Sequence, residues 1–338
     1  MSEESDSLPR LLTDLNGWYA LTMLGVGLRT GLLEALLAGP GDAADLARRA
    51  DVEERNALEW LRAVTAAGYA TYESGTFSAT AETVGTFGPE FPADARGIID
   101  WTWEVPDCFT EVIEAMRTGS GVDPAAYANV GAAAGRINAP TYAAVLISEW
   151  IGQVPGLAER LSAGAAVAEI APGNGAAAAL VARAFPRSRV VGYDVGAPEP
   201  SPDRPDNFEL RVADARDLPD DGPFDFVYCL DALHHLGDPT RSLAQMRKIL
   251  APDGVLMLAE TDLTGDLAQD VQHPFATITY SSGVLYCLQE SLAAGGGPHS
   301  GGDGRPWIEE ALAEVGFDDV SVTASPTGFA IFVATAGR

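Results

Sequence analysis

Cysteine is scarce in this chain of 338 residues: Cys108, Cys229 and Cys287 are its only three. They are odd in number, far apart and set in apolar surroundings, and no Cys-x-x-Cys pair exists. That excludes a disulfide framework and a sequence-encoded zinc cluster, and it fits a reduced cytoplasm. Lysine is scarcer still, with Lys248 alone against twenty arginines and forty-eight acids, for a net charge of −27. Sequence-independent nucleic-acid binding rests on cations that neutralise phosphates, so that class is disfavoured, as is an anionic membrane surface. No apolar run is long enough to span a bilayer. The acidic opening Met1-Ser-Glu-Glu-Ser-Asp6 lacks the basic region of a signal peptide. Disorder is excluded too: 47% of the residues are hydrophobic and 20% charged, which predicts a packed core.

What is present begins with Val167-Ala-Glu-Ile-Ala-Pro-Gly-Asn-Gly175, followed by the alanine-rich run 176–184. An apolar strand ends in an acid, turns through glycines and enters a helix. Gly173 and Gly175 permit a sharp turn and a close backbone approach to a ligand. The helix start behind them offers free N–H groups to an anion. Arg189-Val-Val-Gly-Tyr-Asp194 then reads as a second strand closed by an acid, placed to accept hydrogen bonds from a ribose diol. Further strands are expected at 208–212, 224–230, 254–260, 320–324 and 330–334, with helices around 240–250 and 307–315. Strands alternating with helices imply a parallel sheet, and the last two strands, lacking a helix between them, imply an antiparallel edge.

Residues 8–38 carry too many leucines for one exposed amphipathic helix and are expected to form two helices buried against something large, such as a second subunit. Asp42 suits the N-cap of a helix over 43–50, and 54–67 reads as a helix closed by Gly68. A hairpin over 69–78 completes a winged-helix pattern. Residues 1–85 hold six arginines against thirteen acids, a net of −7. Dimerisation and a pocket wall are therefore the expected uses, rather than DNA binding. The expected organisation is a winged-helix domain over 1–88, a helical linking layer over 89–163 and an α/β core over 164–338.

The core resembles the class I S-adenosylmethionine-dependent methyltransferases. Glu169-Ile-Ala171-Pro-Gly173-Asn-Gly175 stands where that family has an acid followed by alternating glycines. Val212-Ala-Asp214-Ala215-Arg, Phe224 to Asp238 and Leu250-Ala-Pro-Asp-Gly-Val-Leu256 follow in the family's order and spacing. Leu32-Leu-Glu-Ala-Leu-Leu, Asp45-Leu-Ala and Leu61 to Tyr69 resemble the winged-helix domain of the bacterial small-molecule branch. The resemblance implies a doubly wound, Rossmann-like, seven-stranded methyltransferase core with an N-terminal α-helical winged-helix domain. It implies S-adenosylmethionine as cofactor, held by Glu169, Ala171, Gly173, Gly175, Asp194, Val195, Asp214, Ala215, Cys229 and Leu230. It also implies a homodimer formed through the N-terminal helices and a small hydrophobic or aromatic substrate, with O-methylation in secondary metabolism as the specific expectation.

Two departures from the family stand out. Ala171 replaces the first glycine and Pro172 follows it, removing an N–H and stiffening the turn. Residues 195–207 hold four prolines, which exclude a long helix there. A methyltransferase-fold enzyme that uses the cofactor for cyclisation, rearrangement or decarboxylation therefore stays open, as does a winged-helix ligand-responsive regulator. His234 and His235 are read as starting the helix after strand four, at the mouth of the cofactor cleft, and His234 falls about where O-methyltransferase relatives place a base. Glu104 is a candidate pocket acid. Trp101, Trp103, Phe109, Tyr280 and Tyr286 are candidates for an aromatic lining, and the glycine-rich stretch 293–305 is a candidate lid. His273 and His299 are the other histidines. No histidine pair has a metal-binding helical spacing, so no metal is expected.

Overall fold

A computed structural model describes residues 7–88, 94–196, 203–295 and 299–335. They form two compact units, one reaching to Pro106 and including Arg136–Asn138, the other made of the remainder. The expected linking layer is divided between them. The helix Ala95–Glu104 belongs to the first unit, and Phe109–Thr118 with most of Ala128–Val145 to the second.

In the first unit, helix Ser7–Thr30 is broken from Leu32–Leu37 at Gly31, whose φ of 77° leaves the helical region. Asp42 caps Ala43–Ala50 by accepting the Asp45 N–H. Helix Glu54–Ala66 follows, and strands β1 (Ala70–Glu73) and β2 (Thr76–Ala79) form an antiparallel hairpin. Ser74 and Gly75, both with positive φ, supply the turn that suits the strands' twist. Leu24, Leu33, Leu36, Leu46, Trp60, Leu61, Val64 and Phe77 make the core. The Trp60 indole N–H donates to the Met23 carbonyl, which satisfies its buried polar end. By contrast the first half of helix Ser7–Thr30 is bare, with Leu11 63% and Trp18 57% exposed.

The second unit is built on seven strands: β3 (Ala166–Ile170), β4 (Arg189–Asp194), β5 (Phe208–Val212), β6 (Phe224–Leu230), β7 (Leu250–Thr261), β8 (Val320–Ala324) and β9 (Phe329–Thr335). Their order is β5-β4-β3-β6-β7-β9-β8, parallel except at β9, which runs antiparallel to both of its neighbours. Alternate residues serve opposite faces. Val167, Phe226, Tyr228 and Met257 join one core with helices Leu157–Ala163 and Ala176–Ala184. Ala168, Val227, Cys229 and Leu256 join the other with Pro239–Ile249 and Arg305–Glu314. Burial on both faces explains why these strands read as continuous apolar runs. The order in which strands are laid across the sheet reverses between the parallel neighbours β3 and β6, and ligands of such sheets bind at the carboxyl ends flanking that point.

Candidate active site

At the end of β3 the chain turns tightly. Ala171 takes a left-handed φ of 54° and donates its N–H to the Tyr193 carbonyl at 2.8 Å. An alanine in that conformation costs about 1 kcal/mol relative to glycine. The two glycines behind it differ in purpose. A Cβ on Gly175 would lie 2.9 Å from the Phe208 ring, whereas one on Gly173 would meet nothing within 4 Å. Gly175 therefore serves close packing, and Gly173 leaves open space before the start of helix Ala176–Ala184.

Asp194 closes β4 and is oriented by two backbone donors, Gly173 N–H at 3.0 Å and Gly196 N–H at 2.8 Å. Burial raises its pKa and those donors oppose the rise. Each carboxylate oxygen keeps a lone pair for a ribose hydroxyl. Val195 beside it is 72% exposed. Asp214 caps the turn Ala215–Asp217 and grips Arg216 with both oxygens. The open face at Gly173 and the oriented Asp194 fit an adenosyl group. Glu169, however, is buried beneath the turn, where it accepts the Tyr228 hydroxyl at 3.2 Å and burial pushes its pKa up to about 8. The side chains of Cys229 and Leu230 pack into the two cores. Residues 197–202 of the proline-rich segment and 296–298 of the expected lid lie outside the described residues.

The expectation that the histidines start a helix at an open mouth is corrected. Leu233–His235 is a separate 3₁₀ turn, and the helix begins at Pro239 behind an Asp238 cap. His234 is only 2% exposed. Asp231, with a left-handed φ of 51°, donates its N–H to the Ala259 carbonyl and turns the chain toward the end of β7. There Glu260, 1% exposed, accepts the Leu233 N–H at 2.8 Å and lies 2.5 Å from His234 Nδ1. Burial opposes charge on His234, but Glu260 and Cys287 prevail and hold its pKa well above the ordinary histidine value.

His235 lies against His234, ring centroids 4.3 Å apart, and against Tyr286 at 4.8 Å. Its Nδ1 is 2.7 Å from Glu290 Oε2, a charge contact without the alignment of a hydrogen bond. Burial and His234 disfavour its charge; Cys287 and Glu290 outweigh them and bring the pKa to about 9. The Cys287 sulfur lies within 4.8 Å of a ring nitrogen of each histidine, and although burial opposes the thiolate, the two rings draw its pKa down to about 6.

Sequence reasoning missed Glu260, Cys287 and Glu290. Glu260 carried a signal, since it closes an apolar strand as Glu169 and Asp194 do. Cys287 ends a π-helical turn, Gly283–Cys287, that no periodicity reveals.

The remaining candidates stand elsewhere. Glu104 lies in the first unit and accepts Arg29 at 3.0 Å, while the Arg29 guanidinium covers the Trp103 ring. Tyr280 donates to Asp270, His273 accepts the Phe275 N–H, and His299 stacks on Trp307. Of the aromatic set, Tyr286 lies at the histidines.

A reversed parallel sheet with a glycine turn and an acid on the neighbouring strand defines a nucleoside-binding α/β domain of the methyltransferase fold. Residues 142–322 match the family model described as a methyltransferase domain, and residues 19–82 match a Rv2258c-like winged HTH domain. The chain belongs to that methyltransferase domain family, whose cofactor is S-adenosylmethionine.

A 3-hydroxy-5-methyl-1-naphthoate 3-O-methyltransferase of Streptomyces sahachiroi is 33% identical over 119 residues, which is 34% of each chain. The alignment thus spans about a third of that relative. An O-methyltransferase family protein of Burkholderia thailandensis superimposes over 98% of both chains with TM-score 0.71 and 16% identity. Human N-acetylserotonin methyltransferase, crystallised with S-adenosylmethionine, does so over 100% of both with TM-score 0.67 and 18% identity. These likenesses describe the fold.

Proposed function

We propose that this protein methylates an oxygen of a small hydrophobic or aromatic metabolite, with His234 as the general base. The observation that carries the reading is the buried His234–Glu260 pair, set at the ends of β6 and β7 in the sheet that also carries the glycine turn and Asp194.

Bound S-adenosylmethionine supplies a methyl group on an already activated sulfonium, so positioning provides much of the rate. Asp194 would hold the ribose hydroxyls, and Gly173 would admit the ligand to the turn. Glu260 fixes His234 through Nδ1 and leaves Nε2 to accept a proton from the acceptor hydroxyl. Burial excludes water from that exchange.

The naphthoate activity of the Streptomyces relative supports an aromatic acceptor and a place in secondary metabolism. The bare leucine face of helix Ser7–Thr30 supports a homodimer. Cys108, Cys229 and Cys287 are buried thiols rather than disulfides, which supports a cytoplasmic enzyme. No helix among the described residues is long and apolar enough to cross a membrane.

Calorimetric titration with S-adenosylmethionine and S-adenosylhomocysteine, followed by a screen of phenolic acceptors for labelled methyl uptake, tests the reading. Binding of both with methyl uptake upholds it. Binding with no uptake by any acceptor, but with cofactor-dependent conversion, favours a cyclase, rearrangement or decarboxylase activity, for which the strained Ala171 turn is the motive. No binding of either ligand ends both readings.

A further inference from the structure

We infer that Cys287, His234 and His235 form a binding site for a thiophilic divalent transition ion of the zinc class. One ring nitrogen of each histidine and the Cys287 sulfur all lie within 4.8 Å of one another. In a tetrahedral site with roughly 2.1 Å metal–nitrogen and 2.3 Å metal–sulfur bonds, ligand atoms stand about 3.5 Å apart, so a modest contraction closes the set.

The two carboxylates strengthen the assignment. Glu260 sits on Nδ1 of His234 and Glu290 on Nδ1 of His235. Metal-ligating histidines are commonly oriented as His234 is, with an outer carboxylate hydrogen-bonded to one ring nitrogen and the other nitrogen's lone pair left toward the ion, while Glu290 faces His235 as a charge contact. The donor set is two imidazoles and one sulfur, a softness that selects zinc, cobalt or copper over magnesium or calcium. A dication with one thiolate leaves a net charge of +1, and Glu260 and Glu290 are the anions that face it. Asp231 lies near His234 and Glu260 in an alternative set of two carboxylates and one imidazole, which lacks the sulfur. Three protein ligands leave a fourth position open, and the His235 side chain, 18% exposed, gives an ion a route inward.

The inference stands on these side chains and is independent of the methyl-transfer reading. Its consequence bears on that reading, because an ion held on His234 Nε2 would occupy the lone pair needed for general-base work.

The test uses the full chain, stripped with a chelator and titrated with Co²⁺. Wild type is expected to develop a saturable thiolate-to-cobalt charge-transfer band with the visible bands of a tetrahedral ion, and Zn²⁺ should displace both. Cys287→Ser should abolish the charge-transfer band, and Cys229→Ser should keep it. His235→Gln, at the more exposed ligand, should weaken Co²⁺ binding by at least about tenfold with an unchanged circular dichroism spectrum, and Glu290→Gln should weaken it by about tenfold. Absence of the band in folded wild type, or its survival in Cys287→Ser, would overturn the site. Cofactor calorimetry on the same samples reports the methyltransferase reading separately.

Discussion

His234 must be neutral to take a proton, yet Glu260 holds it in the charged form. Neutral imidazole is therefore populated only as pH rises above the ordinary histidine range, and the acidic limb of kcat should be displaced upward. Glu260→Gln removes the anion responsible, so the limb should move toward lower pH while kcat falls through lost orientation. His234→Gln should lower kcat by about 10²–10⁴-fold with cofactor affinity nearly unchanged; a pH–rate series and calorimetry on the variants check both.

Glu169 gives a stability prediction of opposite character. Its folded pKa, about 8, exceeds the 4.5 of the free group, so the folded state keeps a proton that the unfolded chain releases. That stabilising share is complete below 4.5 and is lost as pH climbs through about 8. Glu169→Gln should flatten the decline by up to about 1.4 kcal/mol per pH unit, as urea unfolding across that range would show. The place of Glu169 in the sequence was legible from its motif, but its burial under Tyr228 was not, because packing decides burial.

The turn after β3 separates two tasks that its motif presents as one. Gly175→Ala should cost about 1–3 kcal/mol, since it adds both a positive-φ penalty and a clash with Phe208. Gly173→Ala should cost less stability, about 1 kcal/mol, and weaken S-adenosylmethionine binding more. Thermal melts and calorimetry on the pair separate the effects. Strands β3, β4 and β6 were legible to the residue because apolar runs buried on both faces end sharply at acids and turns, and the edge strand β5, with Phe208 alone buried, was also placed at its bounds. β7 starts at Leu250, earlier than the expected 254, since residues 250–253 continue the strand. The turn holding His234 was misread for want of weight on Asp238-Pro239, a cap and first-turn proline that mark a later helix start. Cys287 and Glu290 were illegible, because a π turn shifts the face they occupy.

Across the whole molecule the arginines are largely spent on the protein's own acids. Arg55 and Arg62 both pair with Glu59, and Arg48 and Arg49 both pair with Asp45. The winged-helix unit thus offers few free cations to a phosphate backbone, and no retardation of duplex DNA is expected even at low salt. Its apolar helix makes the opposite expectation for self-association. Leu11→Glu with Leu15→Glu should shift sedimentation from dimer to monomer while helicity is kept. The sheet of the other unit carries a different consequence. β9 is the latest strand of this sheet along the described residues but lies inside it, between β7 and β8. On the ribosome β8 emerges before the strand that must separate it from β7; until Phe329–Thr335 has been made β8 lacks its neighbour and β7 is paired on one edge alone, with β6. The sheet is closed by a keystone set last, so a nascent chain halted short of it would expose the edge of β7 to any passing strand.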